Sequence, residues 1–474
     1  MRRGHLVYRF GDFELHPHSA RLLRAGERVQ LNQMQLATLI QLVVAAPDVV
    51  CPDVIARVAW GGATSRNSIE KAIAHLRKAL GHTVGASCIV TVPNQGYRFA
   101  AAVEETDSFH APVVSGVDDD PYRLLEVCRR ELASLSRSSL AAIRRRLETA
   151  LQAAPDNAEV HVMLAMACAL TFEAARFDAG CDFANVRRAV GLSRRGVTLD
   201  PASPDAWSTL GFALCLAGET GDAVVNARKA VDLDRRIWRH WLRLAYVSWG
   251  DQRMEAARNV LLLQPRLAFS YWLRATVLIA RGAFEATLSE LRDGCAAQDQ
   301  QPAESPAFPG LGLYLLRGLV LAAQNRTEEA VRALETELAA PHHDQIYSQE
   351  CLANTWYALG AIHLRQRAFP AADTAFHRAL DIAPAHVYSM AALGRPIPDT
   401  AADDPRRVDA AIARAVALAR GNRHTDAAAT YANAVDAARA SNAGWLLPVE
   451  PVLHPMMRPD AWASVLTKVQ QNAT

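Results

Sequence analysis

Residues 65–80 have the sequence SRNSIEKAIAHLRKAL, and residues 89–99 have the sequence IVTVPNQGYRF. In the first stretch apolar side chains recur every three or four residues, which predicts an amphipathic helix with one apolar stripe. The stripe consists of Ile69, Ile73, Leu76 and Leu80. The opposite side, called the outer face here, consists of Asn67, Lys71, Ala74, His75 and Lys78. Its donors and positive charge suit phosphates and base edges, with Glu70 to one side and Arg77 on the flank.

The second stretch predicts a two-stranded hairpin, because β-branched and aromatic residues flank the turn PNQG at 93–96. Tyr97 and Arg98 follow the turn directly. The helix alone is equally consistent with an ordinary solvent-facing surface. A donor-rich helix followed by such a hairpin is typical of a winged helix-turn-helix, with the helix in the major groove and the hairpin, or wing, beside it.

The residues before this helix predict the rest of a small α+β domain. Short apolar runs between residues 7 and 31 alternate with Gly and Pro, which indicates an antiparallel sheet. Asn32 and Gln35 have capping-box spacing, so a first helix is expected to begin at Asn32 and to end before Pro47. A second helix is expected over residues 52–60, and Gly61 and Gly62 form the turn that follows.

Several motifs over residues 5–100 resemble the OmpR/PhoB-type winged helix. They are YRFGDFEL at 8–15, RLLR at 21–24, VQL at 29–31, VAWG at 58–61, LRKALG at 76–81 and GYRF at 96–99. The resemblance implies a set of DNA-binding residues: Asn67, Ser68, Lys71, His75, Arg77 and Lys78 in the major groove, Arg98 in the minor groove, and Tyr97 supporting the wing.

This sequence departs from the family pattern at two places. Ala74 and His75 stand where a second arginine is common, so the base preference does not carry over. The connection from Trp60 to Ser65 is shorter than in the PhoB type, which puts the usual polymerase contact through that loop in doubt. No receiver domain is expected before the sheet, so direct control by an aspartyl phosphate is not expected either.

The composition agrees with a basic DNA-binding domain followed by a larger second domain in the same chain. The chain has 474 residues, of which 50% are hydrophobic, and a net charge of +2. Residues 1–102 contain 12 Lys and Arg against 6 Asp and Glu, a net +6, which leaves −4 for the remainder. The eight cysteines form no C-x-x-C pair, and from this sequence we expect neither a signal peptide nor a membrane-spanning helix. We therefore expect reduced cysteines, a cytoplasmic location and no membrane partner.

The rest of the chain predicts an all-α tetratricopeptide-type solenoid. Residues 103–120 are acidic and contain Pro and Gly, which indicates a linker. One repeat is marked by Trp356, Leu359, Gly360, Ala372, Phe376, Ala379 and Pro384, and another by Trp207, Leu210, Gly211, Ala223, Ala227 and Ala230. We expect about seven helix pairs over residues 121–440, with an unclear register over 267–297, followed at 441–474 by a Pro-rich loop and a capping helix.

A concave surface is expected on the stacked repeats, and its usual use is to hold a peptide or a partner helix. The positions expected to line it are Phe212, Leu216, Tyr357, Ala361 and Arg365. For each of them singly, packing between repeats is at least as good an interpretation as ligand contact.

The whole architecture resembles the HilA-like branch of the ToxR/CadC group of regulators. That resemblance implies binding to promoter DNA with repeated half-sites and recruitment of RNA polymerase. We expect the repeats to receive a protein or small-molecule effector or to mediate self-association, for instance as a homodimer. We expect a sequence-specific transcription activator. A competing hypothesis is an interaction scaffold whose winged helix docks a protein, and a third is a one-component sensor whose repeats bind a metabolite.

Patterns with catalytic or metal-binding potential are weak, so we expect no enzyme, no cofactor and no metal. Ser68 and Lys71 match S-x-x-K but lie on the helix expected to face DNA, and no partner motif follows downstream. His342, His343 and Asp344 follow Pro341 in a loop, where solvation is the better interpretation.

Overall fold

A computed structural model describes most of the chain in two compact units, Met1–Val117 and Asp118–Thr474. The described residues are 6–17, 21–25, 27–60, 64–83, 86–93, 95–107, 121–176, 178, 182–300, 310–341, 344–398, 407–438 and 442–474. The predicted Gly61–Gly62 turn lies outside them. None of the helices in these ranges is long and apolar enough to cross a membrane.

The first unit opens with the predicted antiparallel sheet. Its strands are β1 Leu6–Phe10, β2 Phe13–His16, β3 Arg21–Arg24, β4 Glu27–Arg28 and β10 Glu104–Asp107, in the order β10-β1-β2-β3-β4. Alternation along β2 buries Phe13 and Leu15 against the helices. Strand β10 corrects the predicted linker, because Glu104 pairs with Arg9 and the acidic stretch therefore begins as sheet.

Three helices follow the sheet, as predicted: α1 Gln33–Val44, α2 Pro52–Trp60 and α3 Arg66–Leu80. The capping box at α1 is confirmed, since the Asn32 side chain accepts from the Gln35 backbone N–H and the Gln35 side chain accepts from the Asn32 N–H. The hairpin is confirmed as β8 Ile89–Val92 and β9 Gly96–Phe99. A strand that was not predicted, β5 Val49–Val50, pairs with the other edge of β9. A short ladder of β6 His82–Thr83 and β7 Ala86–Ser87 lies between α3 and the hairpin.

The second unit is a stack of antiparallel helix pairs. The helices are α4 Pro121–Ala133, α5 Leu140–Ala153, α6 Ala158–Ala174, α7 Ala184–Leu199, α8 Pro204–Leu216, α9 Thr220–Leu233, α10 Trp238–Val247, α11 Gly250–Leu263, α12 Ala268–Ala280, α13 Phe284–Asp299, α14 Leu313–Ala323, α15 Thr327–Ala339, α16 Ser348–Arg365, α17 Phe369–Ile382, α18 Val387–Ala392, α19 Arg407–Arg420, α20 His424–Ala437 and α21 Pro459–Asn472. Seven consecutive pairs, α4/α5 to α16/α17, precede α18 and a further pair, α19/α20. The stretch of unclear register forms the pair α12/α13.

Each pair is locked by the interdigitation that the repeat pattern predicts. Gly360 on α16 leaves room for the Phe376 ring on α17, and a Cβ at Gly360 would come within 2.5 Å of that ring. The indoles of Trp207 and Trp241 donate to the carbonyls of Pro201 and Arg235, both 2.8 Å away, so equivalent turns repeat the same bond. The tetratricopeptide-type solenoid is therefore confirmed as the fold of the helical region.

The end of the chain folds back over the repeats. Residues 444–457, called the C-terminal segment here, contain two short 3₁₀ turns at Leu447–Val449 and Pro455–Met457 and lead into α21. Trp462 of α21 is fully buried and packs edge-on against Tyr431 of α20. The guanidinium of Arg281 donates to the carbonyl of Ala473 at 2.7 and 2.9 Å. Besides covering the last pair, the tail thus reaches back to the turn after α12.

Candidate nucleic-acid interface

Helix α3 presents its outer face to solvent because its apolar stripe is fixed in the core. Ser65 caps the helix, its hydroxyl accepting from the Ser68 N–H at 3.2 Å. The stripe residues are at most 2% exposed, and all five residues of the outer face are exposed. The side chain of Ser68 is half-buried and hydrogen-bonds to Ser65 at 2.8 Å, so it serves the cap.

Three exposed cations lie on α3 and β9, namely Lys71, Lys78 and Arg98. Among the described residues, no carboxylate lies within ion-pair distance of Lys71, Lys78 or Arg98. Leaving exposed cations uncompensated favours a polyanionic partner, because phosphates then meet charge that no carboxylate has neutralised.

Arg77 has a different role from its neighbours. Its Nε donates to the Ile89 carbonyl at 2.9 Å and its terminal nitrogen donates to the Thr91 hydroxyl at 2.8 Å. The side chain thereby ties the last turn of α3 to the first strand of the wing. Thr91 was not among the residues predicted from the sequence. Its place as the polar residue between Val90 and Val92 could have indicated that its side chain lies on the exposed face of β8.

The wing is organised around β9, which lies between β5 and β8. Gly96 has φ +139°, and a Cβ there would collide with the Val50 carbonyl, so glycine is required where β9 meets β5. Tyr97 is 7% exposed and packs in the core, whereas Arg98 is exposed. The structure therefore places Arg98 on the exposed face of β9 and Tyr97 on its buried face.

The five positions expected to line the concave surface of the repeats are mostly covered. Phe212, Leu216, Tyr357 and Ala361 are buried. Arg365 is half-buried and bridges two repeats, donating to the Ala322 carbonyl and the Thr327 hydroxyl, both at 3.0 Å. Burial lowers the pKa of Arg365.

The described residues contain no cluster of side chains suited to a metal ion. His342 and His343, weighed above as ligands, lie outside those residues. The carboxylate of Asp344 accepts from the Ser136 and Ser138 hydroxyls, both at 2.6 Å, and from the Ser138 N–H at 2.9 Å. These bonds join the α4–α5 turn to the turn before α16, and they lower the pKa of Asp344 although desolvation opposes them.

Arg77→Ala is expected to loosen the wing, because it removes both bonds between α3 and β8. The loss should be about 1–3 kcal/mol of local stability, seen by hydrogen exchange of the intact chain as faster exchange over residues 89–99. Thr91→Val removes one acceptor only and should give a smaller change in the same amides. Unchanged exchange in Arg77→Ala would contradict this positioning role.

Comparison with known proteins identifies the first unit. Residues 26–99 match the family model described as transcriptional regulatory protein, C terminal. The DNA-binding domain of RstA from Klebsiella pneumoniae, solved in complex with the RstA box, is 28% identical and aligns over 20% of this chain and 96% of that domain, with a TM-score of 0.18. A comparison with curated proteins gave no significant match.

Two repeat proteins align with the helical region. PilW, a type IV pilus biogenesis factor, is 15% identical over 54% of this chain and 98% of PilW, with a TM-score of 0.32. A tetratricopeptide repeat protein from Parabacteroides merdae is 16% identical over 51% of this chain and 86% of that protein, with a TM-score of 0.34.

Proposed function

We propose that this chain, whose N-terminal unit carries an OmpR/PhoB-type winged helix of a transcriptional regulatory family, is a sequence-specific transcription regulator. In this proposal α3 enters the major groove and Arg98 of the wing enters the minor groove. The observation that carries it is the positive charge of Lys71, Lys78 and Arg98, which are exposed and form no ion pair with a described residue, in a domain that matches a transcriptional regulatory family.

The residues of the interface divide between affinity and specificity. Lys78 and Arg98 supply salt-dependent phosphate contacts. Asn67, Lys71 and His75 are the exposed side chains with donors for base edges, each good contact discriminating by about 1–3 kcal/mol. Tyr97, Arg77 and Ser68 position these groups through the contacts described above, and we assign them no direct base contact.

The repeats are the input part of the regulator in this proposal. Effector binding or self-association at the solenoid would change how the winged helix engages promoter half-sites or RNA polymerase, with activation as the expected outcome. The scaffold hypothesis predicts apolar or mixed-charge residues on a docking helix, whereas the outer face of α3 has neither a carboxylate nor a large apolar side chain.

Genome-wide capture of DNA by the intact chain tests the proposal. We expect a small set of promoters that share a half-site and that disappear when Lys71, Lys78 and Arg98 are all changed to Ala. A matched control changes three exposed cations of the repeats, Lys229, Arg258 and Arg266, to Ala and should leave the set intact. An empty set with the unaltered chain, or one that survives the winged-helix substitutions, favours the scaffold hypothesis.

A further inference from the structure

The C-terminal segment lies along helices that belong to successive repeats. Its first turn contacts α12 and α14, which are the first helices of their pairs. The Trp445 ring packs edge-on against Trp272 of α12, with 5.9 Å between ring centroids. The hydroxyl of Tyr431 on α20 donates to the Gly444 carbonyl at 3.1 Å. First helices line the concave side of such a stack, so the segment occupies the inner groove of the repeats.

The segment is buried like a bound peptide and unlike a surface connection. All seven residues of 447–453 are buried, although only three of them form a 3₁₀ turn. Leu447 and Leu453 are fully buried, and Val449 is 2% exposed. Irregular backbone is normally kept on the surface, where water satisfies its polar groups. A run of apolar residues and prolines that is folded into short turns and buried in a groove instead resembles a partner segment held in a hydrophobic groove.

Glu450 anchors the middle of the segment. Tyr357 on α16 donates to one carboxylate oxygen at 2.5 Å, and the other oxygen accepts from the N–H groups of Val452 and Leu453 at 2.9 and 2.5 Å. Burying a carboxylate is unfavourable even with three donors. The groove therefore supplies one donor to this carboxylate, the Tyr357 hydroxyl, and the segment's own backbone supplies the other two. Binding the acidic side chain at this place carries a desolvation cost.

We propose that residues 444–457 are a built-in ligand of the groove formed by α12, α14 and α16. When this segment leaves, the groove accepts a partner peptide that has one glutamate between prolines and aliphatic residues. The chemistry of the partner is taken from the occupant, whose sequence is GWLLPVEPVLHPMM. This inference rests on the proposed partner-binding role of the repeats and adds the location and the ligand class.

The test makes the segment exchangeable without removing it. A protease recognition sequence is inserted at residues 439–441 of the full chain, which is then cut under native conditions. The probe is a fluorescently labelled synthetic peptide of residues 442–474. Unlabelled peptides of the same length, one unaltered and one with Glu450→Ala, serve as competitors.

We expect the cut chain to keep its helical circular dichroism and to exchange its own fragment for the labelled peptide, as measured by fluorescence anisotropy. The Glu450→Ala peptide should compete at least about tenfold more weakly, because the Tyr357 hydroxyl of the groove loses its acceptor and the peptide loses the internal turn that Glu450 forms with the N–H groups of Val452 and Leu453. Tyr357→Phe in the cut chain should reduce that difference. Loss of helicity on cutting, or no exchange, would show that the segment is a fixed part of the fold and would overturn the proposal. Equal competition by the two peptides would do the same. None of these outcomes depends on DNA binding, so the regulator proposal stands or falls separately.

Discussion

Changing Lys71, Lys78 and Arg98 together to Ala is expected to weaken binding to a captured promoter site by about a hundredfold or more. Lys78 and Arg98, which contact phosphates in this proposal, and Lys71, which contacts a base, each contribute on the order of 1 kcal/mol or more to the free energy of binding. A tenfold loss of affinity corresponds to about 1.4 kcal/mol. The dependence of binding on salt should also weaken, because each lost phosphate contact reduces the slope of log K against log salt by about 0.9.

Titration of labelled duplexes at several salt concentrations measures both quantities. Lys71→Ala alone should reduce the difference in affinity between the promoter site and a scrambled site, with little change in the salt slope. Lys78→Ala alone should reduce the slope and weaken both duplexes alike. If the salt slope of Lys78→Ala equals that of the unaltered chain, the assignment of Lys78 to a phosphate contact is wrong.

The stability of the repeats is expected to fall between about pH 5 and pH 8 through Glu450. Burial raises the pKa of its carboxyl to about 7. The three hydrogen bonds to the carboxylate favour the ionised form and oppose this shift. The pKa is therefore higher in the folded chain than in the unfolded chain, so the folded chain binds the proton more tightly. The stabilisation is complete below the unfolded pKa and is lost as the pH rises to about 7, an effect of about 3 kcal/mol.

Other ionisable groups around Glu450 make a comparison with a variant necessary. Tyr357, Tyr388 and Tyr431 face its site, and burial raises all three of their pKa values, so they stay neutral over this range. Burial lowers the pKa of His386 to about 3 and that of His454 to about 4, which destabilises the folded chain at acidic pH and opposes the effect of Glu450. The difference between the unaltered chain and Glu450→Gln isolates the one carboxyl.

Urea unfolding at pH 5 and pH 8 provides the measurement. Gln cannot ionise, so Glu450→Gln should gain stability relative to the unaltered chain as the pH rises. Glu328→Gln is a suitable control, because the Glu328 side chain is 92% exposed and its replacement should leave the pH dependence unaltered. A difference curve for Glu450→Gln that is flat across this range would mean that Glu450 is ionised in the folded chain throughout.

Local patterns in the sequence predicted the elements whose geometry is determined by near neighbours. Three such patterns are the apolar stripe of α3, the capping box at Asn32 and the packing of Phe376 against Gly360. The residues of each pattern lie within a few positions of one another or within one helix pair. Such spacings depend on helix periodicity alone, so they can be recognised without knowing the rest of the fold.

Contacts between distant residues explain most of what the sequence did not predict. Strand β5 has only two residues and is defined by its pairing with β9, and β10 is defined by its pairing with β1 across about a hundred intervening positions. The bonds of Arg77 depend on where β8 lies relative to α3. The position of Glu450 opposite Tyr357 depends on how far the repeats curve, which no local pattern encodes.

The bond between Arg281 and Ala473 spans 192 positions, and that between Ser136 and Asp344 spans 208. An array of repeats ordinarily folds by local propagation, each pair forming on its neighbour. Here the closing contacts are of high contact order, and the one between Arg281 and Ala473 can form only after the last helix has been synthesised. During translation α12, α14 and α16 therefore emerge with their apolar inner surfaces uncovered, which makes this stage the one at which chaperone binding or misassembly would be most consequential.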